Sequence, residues 1–164
     1  MTQSEQLLMQ AFAGESQANR RYLAFAQQAE KEGYHQVAKL FRAAAEAETV
    51  HAHAHLRALK GVSSTAENLK EAIAGETHEF TTMYPAMIGT AIVEGNKEAE
   101  RSFKYAHEVE KVHAVLYEKA LANLDKQAEV DYYVCSGCGY TCENRPPENC
   151  QVCSNKAKKF IKVD

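Results

Sequence analysis

Apolar positions recur with a helical period along most of the chain, and the pattern breaks at Gly33, Gly61 and Gly95. Glycine is favoured just past helix ends, so these breaks predict four helices, over about 4–31, 35–60, 65–93 and 96–127. Ser64 with Glu67 forms a capping box for the third helix, and Asn96 caps the fourth. Pro85 falls inside the third, where it removes a backbone hydrogen bond and predicts a kink. Amphipathic helices joined by short turns make a helix bundle.

One stretch resists a simple amphipathic reading. Residues 45–56, AEAETVHAHAHL, crowd Glu46, Glu48, His51, His53 and His55 between apolar Leu40, Phe41, Leu56 and Leu59. An internal repeat sorts them. AFAGES (11–16) returns as AIAGET (72–77) at an offset of 61, and LFRAAAEAETVHA (40–52) returns as SFKYAHEVEKVHA (102–114) at an offset of 62. The two halves are copies of one helical hairpin. The repeat keeps one Glu on the first helix of each hairpin (Glu15, Glu76) and a Glu-x-x-His on the second (Glu48/His51, Glu110/His113). Residues three apart share a helix face. A Glu from each of two helices plus Glu-x-x-His from each of the other two is the ligand set of di-iron and di-manganese carboxylate proteins. Imidazole and carboxylate suit several transition metals, so the ligands alone do not name the ion.

Other residues near this set are open to two readings. Glu79 shares a face with Glu76, but the first repeat has Ala18 there, so Glu79 is either an added ligand or a surface carboxylate. Tyr22 and Tyr84 lie along the helices from Glu15 and Glu79, as core aromatics or as hydrogen-bond donors and electron relays. His35, His53, His55, His78 and His107 have no matched histidine in the other repeat and read as surface groups or neighbours of the ligands.

From about residue 129 the composition changes. Cys135-x-x-Cys138 and Cys150-x-x-Cys153 are two thiolate knuckles, and four such sulfurs bind tetrahedral zinc or a single iron. Cys142 lies outside both knuckles as a spare thiol, while Tyr133, Tyr140 and Phe160 supply a small aromatic core. A segment this short folds poorly without a metal or other staple. The expected domains are 1–128, the bundle, and 129–164, the cysteine module.

Bulk properties narrow the function. The 164 residues are 45% apolar, enough for a packed core, and the net charge of −3 with one short KAKK (156–159) argues against nucleic acid as a partner. No apolar run approaches the ~20 residues that span a bilayer. The MTQSEQLLMQ start lacks the layout of a signal peptide, so the expected location is the cytoplasm, where thiols stay reduced.

Bundle, carboxylate–histidine set and terminal Cys-x-x-Cys-Gly-Tyr…Cys-x-x-Cys together resemble the rubrerythrin family over essentially the full chain. The resemblance implies an all-α ferritin-like four-helix bundle followed by a small β-rich rubredoxin-like metal domain. It implies two non-haem irons on Glu15, Glu48, His51, Glu76, Glu79, Glu110 and His113, and one iron on Cys135, Cys138, Cys150 and Cys153. It further implies that Glu79 and His51 exchange on one iron with redox state, and that Tyr22 and Tyr84 serve the site. The implied activity is reduction of hydrogen peroxide to water, with electrons from a reductase or rubredoxin-type donor that draws on NAD(P)H. Two alternatives share the ligands: a ferroxidase or iron-storage protein, and a di-metal scaffold with a structural zinc ribbon.

Chain length adds an expectation about assembly. A ferritin-like bundle needs a long crossover between its hairpins. A helix of about 26 residues is about 39 Å long, while the link at 61–64 reaches only about 14 Å. A domain-swapped homodimer, with the first hairpin of one chain on the second of its partner, removes the conflict. The simpler alternative is an up-down bundle in which the second and third helices run antiparallel.

Overall fold

The computed structural model describes residues 1–126 and 128–164. The helices are α1 (Gln3–Lys31), α2 (His35–Ala58), α3 (Thr65–His78), α4 (Tyr84–Val93) and α5 (Lys97–Ala122), with a π-helical turn, Glu79–Met83, joining α3 to α4. Three short strands follow: β1 (Tyr132–Cys135), β2 (Thr141–Glu143) and β3 (Phe160–Val163). The chain divides into two compact units, Met1–Ser63 and Ser64–Asp164. No helix among the described residues is long and apolar enough to cross a membrane.

The first unit is the α1–α2 hairpin. Thr2 and Glu5 close a capping box at its start, a signal the sequence reading passed over. Gly33 turns the chain at φ +83°, a conformation that needs no Cβ. The interface between the helices is built from alanine: Ala18, Ala26 and Ala29 on α1 meet a stripe of Ala38, Ala45 and Ala52 on α2, all buried. Small side chains bring the helices close enough for a polar clamp. Asn19 Nδ2 donates to Ala45 O at 2.8 Å and to Thr49 Oγ1 at 2.9 Å. Phe25, Leu40 and Val50, by contrast, are exposed on this hairpin.

Two details at its far end depart from expectation. Helix α2 stops at Ala58 instead of near residue 60, and Lys60 takes the left-handed turn (φ 53°), not Gly61. Gly61 instead lies against the Leu56 side chain, where an added Cβ would collide. The link to the next helix is therefore Leu59–Ser64.

The second unit holds the matching hairpin and the cysteine module. The Ser64/Glu67 capping box starts α3, and Asn96 caps α5 by accepting from Ala99 N at 3.1 Å. The expected single third helix is instead two helices around the π turn, just ahead of Pro85. A π turn holds one residue more than the α-helical turn it replaces. That extra residue explains the repeat: Glu15 matches Glu76 at an offset of 61, whereas Tyr22 matches Tyr84 and Phe41 matches Phe103 at 62. Helix α5 ends at Ala122, short of the expected 127, and Gln127 itself lies outside the described residues.

The strands form one antiparallel sheet in the order β2-β1-β3. Tyr140 and Phe160 stack edge to face, with ring centroids 6.3 Å apart, as the aromatic core of the module. The module leans on α5 of its own unit. Lys119 pairs with Glu143 of β2, and Gly139 lies against Val109.

The Asn19 clamp joins two helices that otherwise meet through alanine. Asn19→Ala should therefore destabilise the protein by about 1–2 kcal/mol in urea denaturation, with the helical circular dichroism of the native state unchanged.

Candidate metal centres

Each hairpin brings three candidate ligands together within its own unit. In the first, Glu15 of α1 and Glu48 and His51 of α2 have ligand atoms within 4.8 Å of one another. His51 Nδ1 is 2.9 Å from Glu48 Oε2. In the second, Glu76 of α3 meets Glu110 and His113 of α5 within the same limit. His113 Nδ1 is 2.7 Å from Glu110 Oε2 and 3.8 Å from Glu76 Oε2. The Glu-x-x-His spacing puts both groups on one face, and in the first hairpin the alanine-lined contact lets the facing Glu reach them.

Charge makes the second cluster a demanding one. Partial burial, and then the close carboxylate of Glu110, push the Glu76 carboxyl up to about 7. Glu79, at the start of the π turn, is also raised, by burial and by Glu110, while His78 and His113 pull it back. It stands near the triad without belonging to the tight group of three. The Tyr84 phenol is raised by burial and by Glu110, Glu79 and Glu76, so it keeps its proton well into the alkaline range. Carboxylates gathered this way are stabilised by a cation, and carboxylate oxygens with an imidazole nitrogen are a donor set that suits iron or manganese.

The tyrosines occupy matched places. Tyr22 sits 6.2 Å from the Phe41 ring and Tyr84 sits 6.4 Å from Phe103. The sequence reading missed this equivalence, although the offset of 62 was present in the Phe pair. The remaining histidines lie outside both triads. His35 pairs with Glu30 and His107 with Glu108, while His53 and His78 are exposed and His55 is half-buried. Glu46 is exposed, and Glu108 pairs with Lys111.

The four knuckle cysteines form a third cluster. Cys135 Sγ is 3.6 Å from Cys153 Sγ, and Cys138 Sγ is 3.6 Å from Cys150 Sγ. A tetrahedron with metal–sulfur bonds of about 2.3 Å has edges of about 3.8 Å, so the sulfurs fit a four-thiolate ion. The knuckles repeat one backbone device. Gly139 (φ 86°) and Ser154 (φ 60°) each follow the second cysteine of a pair in a left-handed conformation. That turn aims the next amide back at sulfur: Tyr140 N–H at Cys138 and Asn155 N–H at Cys153. Gly137 N–H points at Cys135, and a side chain at Gly137 would collide with Asn155. Burial opposes ionisation of Cys135, yet this amide and the neighbouring sulfurs bring its thiol down to about 7. Cys142 stays apart, its thiol raised by burial and facing Arg145 O.

Comparison with known proteins agrees with this geometry. The family model described as Rubrerythrin matches residues 6–121. Rubrerythrin-2 of Clostridium acetobutylicum is 36% identical, covering 93% of this chain and 92% of its own length. Nigerythrin of Nitratidesulfovibrio vulgaris is 34% identical, covering 93% and 83%. The solved structure of nigerythrin in a mixed-valence state superposes with a TM-score of 0.60 at 32% identity, covering 99% of this chain and 88% of that one. The fully reduced, all-ferrous state of nigerythrin gives 0.61 at 31% identity over the same shares.

The raised Glu76 carboxyl has a measurable consequence. Its ordinary value is 4.5 and its native value about 7, so between these the metal-free native state binds more protons than the unfolded chain. Its contribution to stability is full below 4.5 and is lost as pH rises through 7. The melting temperature of the metal-free protein should accordingly fall across this window more steeply than that of Glu76→Gln. Metal loading should reverse the order of the two proteins at neutral pH.

Proposed function

The chain belongs to the rubrerythrin family of di-iron oxidoreductases, and on that premise we propose that it reduces hydrogen peroxide to water in defence against oxidative stress. The observation that carries the proposal is the presence, in one chain, of two carboxylate–histidine triads and a four-thiolate cluster. In this reading Glu15, Glu48 and His51 hold one iron, and Glu76, Glu110 and His113 hold the other. Cys135, Cys138, Cys150 and Cys153 hold the third. Iron held by these residues would supply the two electrons that, with two protons, convert one peroxide to two waters, and a reductase or rubredoxin-type donor fed from NAD(P)H would return those electrons singly.

The side chains do the rest. Glu79 offers a carboxylate beyond the six triad ligands and, with His51, provides two alternatives at one iron. The Tyr84 hydroxyl, kept protonated by burial and by three nearby carboxylates, serves as a hydrogen-bond donor to bound peroxide. Tyr22 is its counterpart on the first hairpin. Residues 1–128 form the di-iron domain and 129–164 the electron-entry domain. The assigned compartment is the cytoplasm, which suits five free cysteines.

In this reading two chains complete each other. A site with both triads needs both hairpins, and the link Leu59–Ser64 extends about 20 Å, against about 36 Å for the 24 residues of α2. A domain-swapped homodimer meets this constraint. Phe25, Leu40, Val50, Val93 and Val115, exposed in the single chain, supply apolar surface for such an interface.

Anaerobic titration tests the chemistry: each peroxide added to the reduced protein should remove two electrons, and both kinds of iron centre should oxidise rapidly. Slow oxidation together with growth of an iron core would mark a storage protein instead. Co-expression tests the swap. Glu48→Ala and Glu110→Ala chains are each inactive alone, but in a swapped dimer their mixture regains about a quarter of the intact sites, because half the dimers are mixed and each holds one intact pair. No recovery on mixing would exclude the swap.

A further inference from the structure

The two histidines of the candidate di-iron site are held differently. His113 Nε2 lies 3.1 Å from Thr141 Oγ1, the first residue of β2, and Thr141 Oγ1 lies 3.1 Å from Gly139 O. A hydroxyl has one proton and a carbonyl can only accept. Both contacts are hydrogen bonds at once only when the Thr141 proton goes to Gly139 O and a lone pair faces the imidazole. His113 must then donate from Nε2, which leaves Nδ1 with the lone pair that a metal needs. Nδ1 is the nitrogen that faces Glu110 and Glu76. His51 has no such partner: among the described residues no hydrogen bond reaches its Nε2, and its side chain is 56% exposed against 27% for His113.

We propose that Thr141 is a positioning residue: its hydroxyl holds His113 in the Nε2–H form with Nδ1 turned to the Glu76–Glu110 pair, making this the stationary half of the site. The inference rests on the reading of the triads as metal ligands. Its surroundings favour a specific role for the hydroxyl. The outer side of His113 borders a cavity of about 420 Å³, whose wall includes Leu69, Leu116, Tyr117 and Leu124 as well as Thr141. Thr141 is in turn fixed by pairing with Val134 across the sheet, and β2 is fixed on α5 by the Lys119–Glu143 pair. The cysteine module thus has a second task besides holding its ion: it orients a ligand of the neighbouring centre.

Zinc binding to the full-length protein, followed by nitrogen-15 NMR of the histidine rings after the thiolate cluster is saturated, tests this without any activity measurement. In the wild type, zinc should shift His113 Nδ1 as the bound nitrogen and leave Nε2–H slow to exchange. Thr141→Val keeps the shape and strand preference of the residue. It should lower the zinc affinity read from the His113 ring by about tenfold, with faster Nε2–H exchange and a much smaller change at His51. Thr141→Ser should restore both. Wild-type affinity and exchange at His113 in Thr141→Val, or Nε2 as the zinc-bound nitrogen in the wild type, would overturn the inference while leaving the triads as metal sites. If zinc shifted neither His51 nor His113 in the wild type, the metal reading and this inference would fall together.

Discussion

The constraint behind this molecule is the repulsion of carboxylates that the helices bring face to face. Glu76, Glu110 and Glu79 share one half-buried cluster, and burial with mutual charge drives the Glu76 carboxyl far from its ordinary range. A fold selected for stability alone would place such groups in water. Here the backbone works the other way. A capping box starts α3 and Asn96 caps α5, so that the acidic side chains of these helices are held together where a proton or a cation relieves them.

Much of this was legible in the residues. The repeat located both Glu-x-x-His pairs and their facing glutamates, because identical letters recur at nearly one spacing, and the fold brings each group of three within 4.8 Å. The knuckles were equally plain, since two Cys-x-x-Cys pairs are a common spacing for a four-thiolate site, and the four cysteines do cluster. The caps at Ser64 and Asn96 were read from local hydrogen-bonding preferences, and they stand as expected.

What escaped depended on long-range contacts or on small changes of register. Thr141 reaches His113 across 28 positions, and a threonine on a short strand carries no mark of that contact. Asn19 clamps two helices through the Ala45 carbonyl and the Thr49 hydroxyl, 26 and 30 positions away, a pairing with no local spacing signal. Lys60 takes a conformation that propensity assigns to its neighbour Gly61, while that glycine packs against the Leu56 side chain. The π turn was announced, in principle, by the step in offset from 61 to 62. A proline nearby drew attention to a kink instead.

That turn separates the two hairpins in mechanical character. An α-helix is stiff because each residue repeats the bonding of the one before it. Between Glu79 and Met83 the repeat is broken by one wider turn. Helix α1 runs uninterrupted from Gln3 to Lys31, whereas its twin is divided by the wider turn. The glutamate that the first hairpin lacks is the first residue of that turn, so its position is set by the widened backbone and not only by its side-chain torsions.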